Sequence, residues 1–175
     1  IIPTHNRAEL LSTAISSVLG QTFEDWEMII VDDHSTDKTR IVVEGFADDR
    51  VKYIKNTGKN GPSVSRNLAI SAASGEYVAF LDDDDEWLPQ KLEKQIGILD
   101  ACSKKICGAY SNRLMIDKLT GKTFSEDPDA ETLKGNLLSQ LMIKNPIHAS
   151  TLVIRKVCLD KIGLFDETMR YSEDK

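Results

Sequence analysis

The chain has too few cysteines, wrongly placed, to be stapled or metallated by them. Its 175 residues hold three, Cys102, Cys107 and Cys158, an odd count without metal-ligand spacing. They read as reduced thiols of a cytosolic setting. Basic excess is missing too: 22 Lys and Arg stand against 28 Asp and Glu, giving a net charge of −6 and a pI near 5.1. That balance excludes a general binder of nucleic acid or of membrane surfaces. There is no signal peptide, no apolar run of membrane-spanning length, no internal repeat and no low-complexity stretch. A glycine-rich phosphate loop is also absent after the first apolar segment, where P-T-H-N-R-A stands instead. This counts against a nucleotidyltransferase. What remains is an ordinary globular composition, 41% hydrophobic and 29% charged, at a length of one domain with a real core.

The stretch that organises the chain is Tyr77 to Trp87, Y-V-A-F-L-D-D-D-D-E-W. Its apolar first half reads as a strand buried on both faces of a mostly parallel sheet. Its aspartates then fall just outside the carboxyl end of the strand, where ligands bind in open α/β sheets. Two charges ~4 Å apart at an effective dielectric of ~20 repel by roughly 4 kcal/mol. A divalent cation relieves such a cluster, because hard cations take carboxylate oxygens and hold substrate phosphates. In extended chain Asp82 and Asp84 project to one side and Asp83 and Asp85 to the other. The D-x-D spacing thus aims two carboxylates at one point. Asp85, ahead of Trp87-Leu88-Pro89, reads as a helix cap.

Elsewhere the pattern alternates strand and helix. Ile1-Ile2 is the end of a strand, so the sequence reads as a segment of something longer. Asn6 with Glu9 forms a capping-box pattern before an apolar stripe through Leu10, Leu11, Ala14, Ile15, Val18 and Leu19. Arg7 reads as a solvated residue of that first turn. Trp26 to Val31 is a buried strand ending in Asp32-Asp33. Asp32 is expected to cap or to bond backbone amides. A helix through Ile41 and Phe46, a strand Val51 to Ile54 and a helix from Ser63 precede the focal strand. A helix from about Pro89 to Cys102 follows it. Such alternation predicts a doubly wound α/β sheet with helices on both faces. Further on the spacing predicts a strand at Cys107 to Asn112 and a hairpin around Leu119-Thr120-Gly121. An acidic loop (Asp127 to Glu131) and a helix from Thr132 to Lys144 come next, then a strand Ser150 to Ile154 and a short helix stopped by Gly163.

These words, taken in order, resemble the inverting glycosyltransferases of family 2. The matching stretches are I-I-P-T-H-N-R, S-V-L-G-Q-T-F, I-I-V-D-D-H-S-T-D and S-R-N-L-A-I-S-A-A-S-G-E-Y-V-A-F-L-D-D-D-D-E-W. H-A-S-T-L-V-I-R, I-G-L-F-D-E and Y-S-E-D follow in the second half. The resemblance implies a GT-A fold over residues 1–175 as one catalytic domain cut at both ends. Residues 1–102 would form its nucleotide-binding half and 103–175 its acceptor side. It implies transfer of a sugar from a nucleotide-diphosphate donor, a UDP-sugar first, to an acceptor hydroxyl, with Mn²⁺ or Mg²⁺ as cofactor. Pro3, Thr4 and His5 would line the base and ribose pocket, and Asp33 would accept from the uracil N3–H. Arg66 would lie near base or phosphates, and Asp82 at the ribose or metal shell. Asp83, where the family often has Ser, would join the nucleotide-binding residues and add charge beside the metal, Asp84 would hold the metal, and Asp174 would be the general base. His34 stands where the family commonly has Gly, so the turn after Asp33 is expected to be left-handed or slightly reshaped, a conformation His tolerates. Acceptors of the family are saccharides, lipid-linked glycans or proteins. The implied setting is cytoplasmic polysaccharide or glycoconjugate synthesis, with peripheral membrane association through sequence beyond Lys175. A non-catalytic nucleotide-binding module is the alternative.

Overall fold

A computed structural model describes residues 1–117, 119–125, 135 and 147–169. Three parallel strands form its first half: β1 (Ile2–Thr4), β2 (Met28–Asp32) and β3 (Val51–Lys55), paired in the order β1-β2-β3. Between and after them run α1 (Ala8–Leu19), α2 (Thr39–Glu44) and α3 (Pro62–Ala72). The focal strand β4 (Tyr77–Ala79) follows, then α4 (Lys91–Ala101), β5 (Gly108–Tyr110) and a hairpin of β6 (Leu114–Ile116) with β7 (Thr123–Ser125). A 3-10 turn (Ala149–Thr151) leads into β8 (Leu152–Arg155) and α5 (Lys156–Ile162).

Strand β8 pairs antiparallel with both β4 and β5, so β4 and β5 run the same way. Beside β1, the Ile1 nitrogen donates to the Ala79 carbonyl at 2.8 Å and the Leu81 nitrogen to the Ile1 carbonyl at 3.0 Å. That exchange is a parallel bridge, and it joins the two sheets into one of order β3-β2-β1-β4-β8-β5. The expected mostly parallel sheet is present, with β8 its antiparallel member. Because β8 comes from the second half and lies against β4, the two halves share one sheet.

Alternation along β2 explains the layers. All five of its residues are buried. Met28 and Ile30 pack with Leu11, Ile15 and Val18 of α1 and with Leu92, Ile96 and Leu99 of α4. Ile29 and Val31 point the other way, against Ala69 of α3. Ile70 of α3 and Leu159 of α5 cover Val78 and Phe80 on that second face. A strand buried on both faces has no polar side to alternate with, hence its continuous apolar run. Each fully buried aliphatic side chain contributes roughly 1.5–3 kcal/mol of transfer free energy.

Where the second half enters the sheet, one charged residue is buried. Arg155 is 1% exposed and donates to the carbonyls of Leu99 and Ile106 and to the Tyr77 hydroxyl. It thereby places a cation at the carboxyl end of α4, where the Leu99 carbonyl also accepts from the Cys102 amide at 3.1 Å. Apart from Gly135, whose φ is 88°, the acidic loop and the helix expected over 127–144 lie outside the described residues.

Candidate active site

The carboxyl ends of β1, β2 and β4 come together at one edge of the sheet and wall an open cleft of about 450 Å³. The exit of β1 contributes Pro3, Thr4, His5 and Arg7, and β2 contributes Asp33. The first turn of α3 adds Pro62, Ser65 and Arg66, and the chain after β4 adds Asp82, Asp83 and Asp84. All the residues that the sequence marks for nucleotide and metal therefore line a single cleft. Asp174 lies outside the described residues.

Local chemistry fixes each wall. Asp32 is 2% exposed and accepts from the Ser35 amide at 2.7 Å and from the Tyr53 hydroxyl. It is a backbone and hydroxyl anchor, as expected. Burial, and then the Asp32 carboxylate, push the Tyr53 phenol well above its usual range. His34 turns the chain with φ of 65°, in the left-handed region expected of it. Asp33 is thereby aimed into the cleft, where Oδ1 accepts from Asn56 Nδ2 at 2.7 Å and Oδ2 from the Gly61 amide at 2.8 Å. So Asp33 also ties down the polar loop of residues 56–61. His5 Nδ1 lies 2.5 Å from the Asp33 carbonyl, an acceptor, so the ring carries its proton there. Its Nε2 then accepts from Asn6 Nδ2 at 3.1 Å.

Four expectations need correction. Asn6 does not cap α1: its φ is 53°, and its side-chain oxygen accepts from the amides of Thr36 and Asp37. The first turn is capped from afar, by Asp37 Oδ2 accepting from the Ala8 amide at 3.1 Å. Arg7 is exposed, as expected, but it is not without a role at the acidic turn. One of its nitrogens, Nη1, donates to Asp83 Oδ1 at 3.0 Å and to Asp84 Oδ2 at 2.9 Å. Asp85 caps no helix, since α4 begins at Lys91 with Gln90 before it.

The fourth correction concerns the acidic run itself. It is not extended: β4 ends at Ala79, and the Asp85 amide donates to the Asp82 carbonyl at 3.1 Å, closing a turn. Strand alternation therefore does not apply to residues 82–85. The pair of carboxylates sharing one cation is Asp83 with Asp84, while Asp82 Oδ1 accepts from Arg66 Nη2 at 2.8 Å. Arg66, solvated by default on a helix, is 5% exposed. The turn is braced from the second half by Ser150, whose Oγ accepts from the Asp82 amide and whose carbonyl accepts from Trp87 Nε1.

Electrostatically, four carboxylates face two guanidiniums in the cleft, leaving a net charge of −2. Burial raises the Asp82 carboxyl above the usual range, with Arg66 pulling the other way. The charge of Asp83, and its hydrogen bond, raise the Arg7 guanidinium. Thr4 Oγ1 donates to Asp83 Oδ2 at 2.7 Å, so both Asp83 oxygens are engaged. Among the described residues no group of three or more His, Cys, Asp or Glu is placed to hold a metal ion unaided. What the chain offers is a pair of carboxylate oxygens converging on one position, which suits a cation shared with phosphates and water. Ser65 carries a further hint of a ligand. It is fully buried, lines the cleft, and its hydroxyl has no partner among the described residues. Sequence reading missed Arg7, Ser65, Asn56 and Ser150, and nothing in local periodicity singles them out.

Comparison with known proteins fits this geometry. The family model described as Glycosyl transferase family 2 matches residues 1–156. An uncharacterized glycosyltransferase of Rickettsia typhi is 35% identical over 99% of this chain and 55% of its own length. A UDP-Glc:alpha-D-GlcNAc-diphosphoundecaprenol beta-1,3-glucosyltransferase of Escherichia coli is 44% identical over 57% of this chain and 39% of its own. The chain thus spans only about half, or less, of the curated relatives it matches. Among solved structures, S. aureus TarS 1-349 in complex with UDP-GlcNAc superposes with a TM-score of 0.75 at 24% identity, over 99% of this chain and 49% of that one. The mannosyltransferase PcManGT from Pyrobaculum calidifontis, in complex with GDP-Man and Mn²⁺, does so with a TM-score of 0.68 at 19% identity, over 94% and 46%.

Proposed function

Since the chain belongs to glycosyl transferase family 2 and has the GT-A fold, we propose that its cleft takes a nucleoside-diphosphate sugar, a UDP-sugar first. The sugar passes with inversion to an acceptor hydroxyl during synthesis of a polysaccharide or lipid-linked glycan. The observation that carries this reading is the cleft itself, where Asp33, Arg66 and the Asp82–Asp84 turn meet the β1 exit.

The base goes against Pro3, Thr4 and His5. Asp33 Oδ2 has spare acceptor capacity beyond the Gly61 amide, since a carboxylate offers about four lone-pair sites. It accepts from the uracil imide. Arg66 and Asp82 hold the ribose–phosphate side as a pair. Asp84 is the cation ligand, and the geometry favours Asp83 as its partner over Asp82, which Arg66 already engages. A bound Mn²⁺ or Mg²⁺ supplies Lewis-acid stabilisation of the diphosphate leaving group. Asp174 takes the acceptor's hydroxyl proton as the acceptor oxygen bonds the anomeric carbon and the bond to the diphosphate breaks. Direct attack by the acceptor oxygen, without a covalent sugar–protein intermediate, makes this a single displacement and so inverts the anomeric centre.

The UDP-sugar preference leans on the names of the E. coli glucosyltransferase and the TarS complex. The diphosphoundecaprenol acceptor in the former's name supports a lipid-linked acceptor, and with it peripheral work beside a membrane. No described helix is long and apolar enough to cross a membrane.

Calorimetry with UDP, GDP and ADP, each with and without Mn²⁺, tests the reading, followed by product analysis with UDP-sugars. We expect UDP to bind tightest, and UDP and Mn²⁺ to raise each other's affinity by the same factor, a coupling of ~1–3 kcal/mol. Asp84→Ala should erase that coupling. Equal affinity for the three bases, or UDP binding unchanged by EDTA and by Asp84→Ala, would overturn it.

A further inference from the structure

Arg7 stands where a metal ion is expected to stand. Its Nη1 lies 3.0 Å from Asp83 Oδ1 and 2.9 Å from Asp84 Oδ2, so a single donor nitrogen occupies the point on which both carboxylates converge. The two acids cannot give that point to a divalent cation and keep Arg7 there, because like charges a few ångströms apart repel by several kcal/mol. Nor is Arg7 locked in. Its side chain is 49% exposed and that of Asp84 44%, while Asp83 at 7% keeps its second oxygen on Thr4 whether or not Arg7 leaves. The guanidinium is therefore the movable member of the cluster.

Its destination follows from charge. With Arg7 in place the cleft has a net charge of −2, which repels a diphosphate. Once the acid pair is neutralised from elsewhere, Arg7 is a guanidinium lining the same cleft without its carboxylates. Phosphate oxygens are its natural partners, because the planar fork binds them in pairs. The buried hydroxyl of Ser65, which lines the same cleft and has no partner among the described residues, independently marks the cleft as one a ligand completes.

We propose that Arg7 is a diphosphate-binding residue held in reserve. It occupies the Asp83–Asp84 pair in the free protein, yields it to the divalent cation, and moves to the diphosphate of the incoming nucleotide. The inference rests on the nucleotide-diphosphate reading above. It makes Arg7 a competitor of the metal and an ally of the nucleotide, and those two roles have opposite signs.

The test uses the intact protein with Arg7→Ala and Arg7→Gln. The electron paramagnetic resonance signal of free Mn²⁺ measures metal binding without nucleotide, and calorimetry measures UDP binding at saturating Mn²⁺. Both variants should bind Mn²⁺ several-fold more tightly than wild type, and UDP about tenfold more weakly, in keeping with the loss of one charge-assisted contact. A merely structural role or partial unfolding moves both affinities in the same, weaker direction and overturns the proposal. So do variants that match wild type in both measurements while wild type binds UDP and Mn²⁺. If wild type itself binds no UDP, the nucleotide reading falls and takes this role with it.

Discussion

Replacing Asp33 by alanine should damage the protein before any nucleotide is added. The side chain accepts from Asn56 Nδ2 at 2.7 Å and from the Gly61 amide at 2.8 Å, and thereby fastens the 56–61 loop to the end of β2. Each hydrogen bond to a charged acceptor contributes roughly 1.5–3 kcal/mol. The loop is solvent-facing, so water recovers part of that after truncation. We expect a net loss of about 2–4 kcal/mol in the free protein, read as a drop in melting temperature of roughly 4–16 °C at ~2–4 °C per kcal/mol for a chain of this size. A residue that only reads the base would leave the free protein's melting curve untouched. The partner variant Asn56→Ala removes the same tether from the other side. A double-mutant cycle should therefore give a coupling of about 1–3 kcal/mol between the two. Melting of Asp33→Ala within ~0.5 kcal/mol of wild type, the scatter of ordinary surface changes, would refute the tether. Full additivity with Asn56→Ala would refute it as well.

Three further outcomes are expected. Lys91 Nζ is buried without a hydrogen-bond partner among the described residues, 4.1 Å from the Trp87 ring centroid, and burial lowers its pKa from 10.5 to about 7. Folding therefore favours the neutral amine, so wild-type stability falls as pH drops from above 10.5 towards 7 and levels off below. Lys91→Met should gain roughly 2–4 kcal/mol at pH 7 and nothing above about pH 10.5, and parallel stability–pH curves would contradict this. Arg155→Met leaves the Ile106 carbonyl without the Arg155 Nε–H and the Leu99 carbonyl with the Cys102 amide alone. Urea titration should show a loss of about 3–5 kcal/mol, and a loss under ~1 kcal/mol would discard the anchor. Asp174→Asn should leave UDP affinity at the wild-type value while abolishing sugar transfer, and undiminished transfer would place the base elsewhere.

Much of the architecture was legible because it is written in short-range period. The continuous apolar run of β2 is what a strand covered by α1 on one face and α3 on the other requires. The left-handed turn at His34 followed from the family resemblance, in which Gly commonly stands at that position. The contacts that were not legible join residues far apart in sequence. Arg7 meets Asp83 across 76 positions, and the cap of α1 comes from Asp37, 29 positions on. Local spacing made Asn6 the cap, yet Asn6 spends its side-chain oxygen on the Thr36 and Asp37 amides. The D-x-D argument failed on geometry: it assumed extended chain through Asp85, whereas the strand ends at Ala79 and a turn follows. The antiparallel β8 was equally hidden, because an apolar segment does not declare its direction.

The placement of β8 also has a consequence for the ribosome. Strand β4 is complete at Ala79, but its partner on that side begins at Leu152. At ~5–20 residues per second of synthesis, the outer edge of β4 waits roughly 4–15 s for that partner. During the interval the nascent chain already contains β1 to β4, the core helices and the acidic turn, yet lacks the Ser150 brace and the Arg155 anchor. An unpaired apolar strand edge is a template for pairing with another chain. The first half of the chain therefore emerges before the strand that completes its sheet, and the exposed edge of β4 is covered only when residues 152–155 dock.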